Sequence, residues 1–315
     1  MSTRDLKLKS CMKAFDGYAD LPPLKTNALV NVGKAYERNI RRVNTLVLFA
    51  PAAVWITATI QRCTDEIEHK FSGMKKSRRL DLIEVEVKKQ IQKETALHAK
   101  GGAEADAFRE HQQHFSFHML EEASRDFPDG PEAWMASQIL ATWTAFESMV
   151  EDLWEKALNT KPAILAKLNG RNSSKSKAGN DPNRIRLDYL YRYNFNLADR
   201  MGSIFLDERR YSFDRLEGIR EAYLDAFSVD ANDIANLIND RALDISSSIR
   251  NNLVHNGGII DAQYLKRSAI LPKEALGEVG DPIFIDGELV AQINAPIIKM
   301  GHGLIVAVDN WLDSH

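Results

Sequence analysis

Cysteine is scarce in this chain, and its scarcity excludes two kinds of site. Only Cys11 and Cys63 occur among the 315 residues, too few for a disulfide framework or a multi-cysteine zinc site. Two free thiols fit a reducing compartment. The first nine residues also lack the apolar core that a secretion signal needs. Together these features predict a cytoplasmic location.

An excess of positive charge is also missing. Lysine and arginine number 41 against 44 aspartate and glutamate, so the formal net charge is −3. Such a chain has no global basic field for nucleic acid, and any RNA binding must use a local patch. Apolar residues make up 44% of the chain, which is enough for a substantial core. The length suits one large domain or two ordinary ones.

A long uninterrupted apolar run is a third absence. The most apolar stretch, residues 43–60, contains an asparagine, several threonines and Pro51. It falls short of the roughly 20 mostly apolar residues that a transmembrane helix needs. We therefore expect no membrane partner. We interpret the stretch as a buried helix, with Pro51 in the first turn of a second helix.

Helical periodicity is what the chain has in abundance, and it predicts an all-α fold. Glycine, proline and polar clusters separate the periodic segments. Helices are expected over residues 27–48, 51–71, 77–100, 104–125, 132–158, 212–227 and 233–255, with a last helix from Pro296.

Two turn signals stand out from the rest. The run Phe127-Pro128-Asp129-Gly130-Pro131 is the strongest punctuation in the chain. It predicts a division into a helical domain of unknown function, residues 1–127, and a second helical domain, residues 128–315. The Asp286-Gly287 pair lies between apolar runs, which is the strongest short hairpin signal. It predicts a small β-hairpin over residues 283–290.

One helix end combines a permanent cation with a titratable imidazole. Arg250 carries a fork of donors that matches phosphate, and His255 titrates near neutral pH. On an ideal helix, five residues separate their side chains by about 140°. Either the helix loosens at Asn252, or a second surface, such as the same helix of a twofold-related copy, completes the site. The apolar residues of the helix share one face: Ala242, Ile245, Ile249 and Leu253.

The sequence Arg250-Asn251-x-x-x-His255 resembles the Arg-Asn…His signature of the HEPN superfamily. The Asn256-Gly257-Gly258 that follows, and Asp261, look like its common continuation. The resemblance covers roughly residues 128–315 and implies an up-down helical bundle. Many members of this superfamily are metal-independent ribonucleases that dimerise to bring two motifs together. Others have lost the motif and only bind or scaffold.

An acidic residue of the helix predicted over residues 132–158 belongs to the same candidate site. Trp143, Val150 and Trp154 mark the buried stripe of this helix. Glu147 lies on that stripe, where a carboxylate is costly unless it is paired or hydrogen-bonded. The resemblance places this helix beside the motif helix, which makes Arg250 the expected partner. The alternative is a glutamate at the edge of the stripe, with its carboxylate in water.

A polar loop over residues 169–182 is the candidate local basic patch. Its asparagine, glycine, serine and proline content predicts a flexible segment. Basic side chains in and just after it are candidates to hold an RNA backbone, although charge runs usually just face water. The residues concerned are Arg171, Lys175, Lys177, Arg184 and Arg186.

The leading hypothesis is an endoribonuclease that needs no metal or other cofactor. A ribose 2′-OH would attack the adjacent phosphorus, leaving a 2′,3′-cyclic phosphate, or a 3′-phosphate after hydrolysis, and a 5′-OH. His255 is the candidate general acid or base, and Arg250 would neutralise the charge that develops at phosphorus. Asn251 would orient the histidine or bind a phosphate oxygen, and Glu147 would hold Arg250.

The expected partners are RNA and a second copy of the chain bound through the motif helix, with an inhibitory partner of unknown identity. The resemblance further implies a toxin or phage-defence role. A catalytically silent binding or dimerisation module is the alternative.

A third hypothesis is a metal-dependent hydrolase, because carboxylate and imidazole groups at helical spacing can bind metal. Its ligands would be Glu94, His98, His111, His114 and His118.

Overall fold

The computed structural model describes residues 7–15, 20–123, 125–126, 129–167, 187–267 and 277–315. These residues form twelve α-helices and a 3-10 helix, Leu8–Phe15, with no β-strand among them, so the predicted all-α class is confirmed. The helices are α1 (Asn27–Lys70), α2 (Lys76–Lys100), α3 (Ala103–Ala123), α4 (Asp129–Thr160), α5 (Pro162–Leu165), α6 (Leu187–Arg192), α7 (Met201–Asp207), α8 (Leu216–Ala226), α9 (Asn232–Ile238), α10 (Arg241–His255), α11 (Ala262–Arg267) and α12 (Gly287–Ser314).

The main core lies where the first part of α1 packs against α4 and α12. Tyr36 of α1, Trp143 and Trp154 of α4, and Ile297 of α12 are all at most 1% exposed and belong to one apolar cluster. The predicted buried faces of α4 and α12 are therefore confirmed. Residues from both sides of the predicted boundary contribute to this cluster. The division into two domains stays a prediction.

A buried carboxylate near the end of the chain caps the first long helix. Asp309, on α12, is 3% exposed. Its two oxygens accept hydrogen bonds from the backbone N–H groups of Lys25 and Thr26, each at 2.8 Å. The first N–H groups of a helix have no partner within the helix, and they carry its positive dipole end. Asp309 satisfies this need at the start of α1 and ties α1 to α12.

The second half of α1 leaves the core and forms an arm with α2 and α3. The predicted buried helix over residues 43–60 is wrong, because Phe49 is 68% exposed and Ile56 is 44% exposed. The predicted break at Pro51 is also wrong, since α1 continues through it. Both α1 and α12 are long and apolar enough to cross a membrane, with 22% and 61% of their most apolar windows buried. The cytoplasmic location stays a prediction.

The Asp286-Gly287 pair starts a helix, so the predicted hairpin over residues 283–290 is wrong. Asp286 Oδ1 accepts a hydrogen bond from Leu289 N–H at 2.8 Å, which makes Asp286 the N-cap of α12. Aspartate serves caps as well as turns. Glycine is required at position 287 because of close packing, and not because of a hairpin turn. A Cβ at this position would lie 2.0 Å from the carbonyl oxygen of Lys7.

The predicted helix over residues 233–255 is two helices. Helix α9 ends at Ile238 and α10 begins at Arg241. Asp240, between them, accepts a hydrogen bond from Ala242 N–H at 2.8 Å and caps α10. The Asp240 carboxylate thus accepts from a backbone N–H group that would have found its acceptor within a continuous helix. The motif helix α10 is therefore a separate helix from α9.

We expect Asp309→Ala to lower the free energy of unfolding by about 2–3 kcal/mol, because two N–H groups at the start of α1 lose their acceptor. Urea denaturation followed by circular dichroism measures the change. Asp313→Ala is the matched control on the same helix. Asp313 pairs with Lys25 in solvent, so its removal should cost less than about 1 kcal/mol. Equal effects of the two substitutions would contradict the capping role.

Candidate functional site

The motif helix remains regular up to His255. Asn256 N–H donates to the carbonyl oxygen of Asn252 at 2.9 Å, which is ordinary helical bonding. Gly257 and Gly258 follow with φ values of 59° and 78°, a left-handed conformation that glycine adopts without strain. The helix therefore does not loosen at Asn252. The angle of about 140° between the side chains of Arg250 and His255 is kept.

Asn252 anchors the turn that ends this helix. It is 3% exposed, and its side-chain Nδ2 donates to the carbonyl oxygen of Ile259 at 2.7 Å. Its own carbonyl oxygen accepts from Asn256 N–H and from Gly258 N–H. The sequence motif indicates Asn251 and gives no role to Asn252. The signal that could have indicated Asn252 is its position four residues before the Asn256-Gly257-Gly258 turn.

The segment that leads into α12 holds the turn from the other side. Ile260 N–H donates to the carbonyl oxygen of Asp281, and Ile283 N–H to that of Gly258, both at 2.8 Å. Ile259 and Pro282 form an isolated antiparallel bridge. The turn is thus held by backbone hydrogen bonds that involve none of the motif side chains.

A bidentate arginine fixes the other end of the motif helix. Arg220, on α8, donates to both oxygens of Asp244 on α10, at 2.7 and 3.1 Å. Its Nε also donates to the carbonyl oxygen of Ile238, the last residue of α9. Fork-to-fork pairing of this kind fixes geometry as well as charge. Sequence reasoning missed Arg220, because the partners lie 18 and 24 residues away and no local pattern marks them.

The structure brings together Glu147 and Arg250, as the sequence predicts. Arg250 Nη2 lies 3.5 Å from Glu147 Oε1, and the side chains are 22% and 16% exposed. This is an ion pair between α4 and α10, too long for a strong hydrogen bond. Arg250 Nη1 donates to Asn251 Oδ1 at 2.9 Å. Asn251 is therefore held against the arginine in this structure, which differs from its expected role of orienting His255.

Burial raises the pKa of Glu147 above its ordinary value. The N–H of Trp143 and the charge of Arg250 act in the opposite direction but do not cancel the effect of burial, and Asp214 adds to the rise. Burial also raises the pKa of two acidic residues further along α4, Glu151 and Asp152. Burial in this part of α4 therefore disfavours the charged form of these carboxyl groups.

His255 lies exposed at the last position of α10. Within the described part of the chain, its ring takes part in no hydrogen bond, ion pair or ring contact. The side chain is therefore accessible to a molecule from outside.

The predicted RNA-binding residues cannot be placed relative to this helix end. Arg171, Lys175, Lys177, Arg184 and Arg186 all lie outside the described residues.

The described residues do not assemble the predicted metal site. His98 Nε2 lies 3.0 Å from Gln112 Oε1, and the ring of His111 contacts Trp55. Residues His114 and His118 are exposed. Among the residues described, no three histidine, cysteine, aspartate or glutamate side chains gather as a metal site would require. The metal-dependent hydrolase is therefore not supported.

Comparison with known proteins gives no relative from which a function can be transferred. The chain matches no family model, no curated protein and no solved structure.

We expect Asn252→Ala to lower the free energy of unfolding by about 1–3 kcal/mol, because the carbonyl of Ile259 loses its buried donor. Asn251→Ala is the matched control. Asn251 is half-buried and bonds only a neighbouring arginine in the described structure, so its loss should cost less. Thermal unfolding of both variants measures the difference. A larger loss in Asn251→Ala would contradict the anchoring role.

We expect Glu147→Gln to become more stable relative to the native chain as the pH rises. The folded state keeps the proton of Glu147 above the ordinary pKa of 4.5. The stability that this proton contributes is complete below 4.5 and is lost as the pH rises through the raised pKa. Urea denaturation between about pH 4 and pH 7 measures the trend.

Glu84→Gln is the control for this trend. Lys88 lowers the pKa of the exposed Glu84, so any effect of Glu84→Gln should run in the opposite direction. If Glu147→Gln instead loses stability as the pH rises, the attraction of Arg250 outweighs the burial of Glu147.

Proposed function

We propose that this chain is a metal-independent endoribonuclease of the HEPN kind. The contact between Glu147 and Arg250 is the observation that carries the proposal. It joins α4 to α10 through residues far apart in the sequence and holds a guanidinium near the end of the motif helix. The exposure of His255 at the same helix end supports a role in proton transfer. Arg250 and His255 together supply a cation and an acid–base group without a cofactor.

The proposed reaction is transesterification within the RNA backbone. A base removes the proton of a ribose 2′-OH, and the 2′ oxygen forms a bond to the adjacent phosphorus. The bond from phosphorus to the 5′ oxygen breaks, and an acid donates a proton to that oxygen. His255 serves in one of these proton transfers, since an imidazole ring can both accept and donate a proton. Arg250 stabilises the negative charge that develops on the phosphorane oxygens.

A second copy of the chain would complete the site. On a regular helix Arg250 and His255 point about 140° apart, so one copy cannot place both beside one phosphate. Two motif helices related by a twofold axis would offer an acid and a base from different copies. Light scattering tests this. A monomer at micromolar concentration, with cleavage linear in protein concentration, would contradict it.

The charges around the end of α10 do not favour tight RNA binding. The C-terminal end of α10 carries a partial negative charge that disfavours phosphate. Glu147 adds an acidic group beside Arg250. Affinity would therefore depend on basic residues elsewhere, such as the predicted loop over residues 169–182. The same acidic surroundings favour the second candidate, a catalytically silent binding or dimerisation module.

We expect the purified chain to cleave RNA in the presence of EDTA. Fragments should carry a 2′,3′-cyclic phosphate or a 3′-phosphate, and a 5′-OH, which end mapping identifies. His255→Ala should reduce the rate by about 100-fold or more with little change in melting temperature, because the side chain is exposed. His69→Ala, which alters another exposed histidine, is the control.

Two results would contradict the proposal. One is cleavage that EDTA abolishes, and the other is full activity in His255→Ala. An inactive native chain that still dimerises would favour the silent module. The cytoplasmic location, the inhibitory partner and the toxin or phage-defence role are parts of the same proposal. The location rests on the scarcity of cysteine, and the other two rest on the resemblance alone.

A further inference from the structure

The arm contains a cavity between α1, α2 and α3. Its volume of about 330 Å³ lies within the range of roughly 300–1,000 Å³ typical of small-molecule sites. Leu48, Ile56 and Ile91 contribute to an apolar wall, and polar side chains of α2 and α3 line the remainder. Such a division of apolar and polar surface suits a ligand with one apolar part and one polar part.

A buried carboxylate faces this cavity. Glu94 is 8% exposed and is the one buried residue of α2. Its Oε2 accepts a hydrogen bond from Trp55 Nε1, and its Oε1 accepts one from Gln90 Nε2, both at 2.9 Å. Both donors are neutral. A carboxylate has about four acceptor positions, so roughly two remain for another donor.

Glu94 has no cationic partner in the described part of the chain. Arg109 also lines the cavity, but its guanidinium pairs with Asp106 on the same helix. The ring of His98 contacts Gln112 instead. Buried charges in proteins are usually paired. The missing counter-charge therefore points to a cation that occupies the cavity.

Trp55 indicates which kind of cation suits the site. Its indole lines the cavity, and the rings of Phe108 and Phe115 stand nearly perpendicular to it with centroids 5.7 Å away. The N–H edge of the indole is turned to Glu94, and the rings around it give apolar surface that suits the carbon body of an organic cation. A metal ion would need further oxygen, nitrogen or sulfur ligands, and the described residues gather no such set. The surroundings therefore favour an organic cation over a metal ion.

We propose that this cavity binds an organic amine. The protonated nitrogen pairs with Glu94 beside the indole of Trp55, and the apolar or aromatic body of the amine packs against Leu48, Ile56 and Ile91. The site lies on helices other than those of the ribonuclease proposal and does not depend on it.

Three probes of similar shape and different charge test the proposal on the full chain. They are phenethylammonium, phenethyl alcohol and 3-phenylpropionate. Titration calorimetry should give binding of phenethylammonium at least about tenfold tighter than that of the other two, because a charge-assisted contact is lost in both. Equal or tighter binding of the alcohol or of the anion would overturn the proposal, as would no binding of phenethylammonium at about 10 mM.

Glu94→Gln keeps the shape of the side chain and removes its charge. It should weaken phenethylammonium binding about tenfold or more. Glu84→Gln, on the same helix, removes an exposed carboxylate that pairs with Lys88 and should leave binding unchanged. Unaltered affinity in Glu94→Gln would overturn the proposal.

A spectroscopic measurement keeps the test valid if Glu94→Gln fails to fold. The chain contains five tryptophans, and fluorine NMR of protein labelled with fluorotryptophan resolves them individually. Phenethylammonium should shift the resonance that is absent from Trp55→Phe. A shift confined to the other tryptophans would place the amine elsewhere and overturn the assignment.

Discussion

The buried carboxylate of Asp309 determines how the two ends of the chain are joined. By binding the N–H groups at the start of α1, it places that helix along α12. The segment just before α12 holds the Gly258 turn of the motif helix through the hydrogen bond from Ile283, and α4 packs against both long helices. The position of Glu147, which α4 carries, and that of the motif turn therefore both depend on this closure. The helices that carry Glu147 and the motif turn thus both contact α12, the helix that Asp309 ties to the start of α1.

Short-range periodicity predicted those parts of the fold in which a helix buries one face. The stripe that contains Trp143 and Val150 was found in this way, because a pattern repeating every three to four residues is visible in the sequence. The pairing of Glu147 with Arg250 was also predicted. It followed from the cost of a carboxylate on a buried stripe, together with a resemblance that set two helices side by side. The cost of burying a carboxylate indicated that Glu147 has a partner, and the resemblance indicated that this partner is Arg250.

Features that depend on distant contacts were not predictable. Asp286-Gly287 suits a hairpin or a helix start equally well, and in the structure Asp286 caps a helix whose Gly287 packs against the backbone of Lys7. The exposure of residues 43–60 could not be foreseen either, since apolar composition does not reveal how many partners a helix finds. Arg220 binds Asp244 and the carbonyl oxygen of Ile238, which lie 24 and 18 residues away and which no local motif marks. In each case the deciding energy lies in a tertiary contact.

Pro51 lies where α1 passes from the main core into the arm. Proline has no N–H, so the carbonyl oxygen of Val47, four residues earlier, loses its partner within the helix. The helix is weakest against bending at such a position. The core around Tyr36 lies on one side of Pro51, and the cavity beside Trp55 lies largely on the other. Helix α3 also ties the arm to the bundle, because Phe117 is 3% exposed and belongs to the same apolar cluster as Tyr36. The packing of Phe117 therefore opposes bending at the point where α1 itself lacks a backbone hydrogen bond.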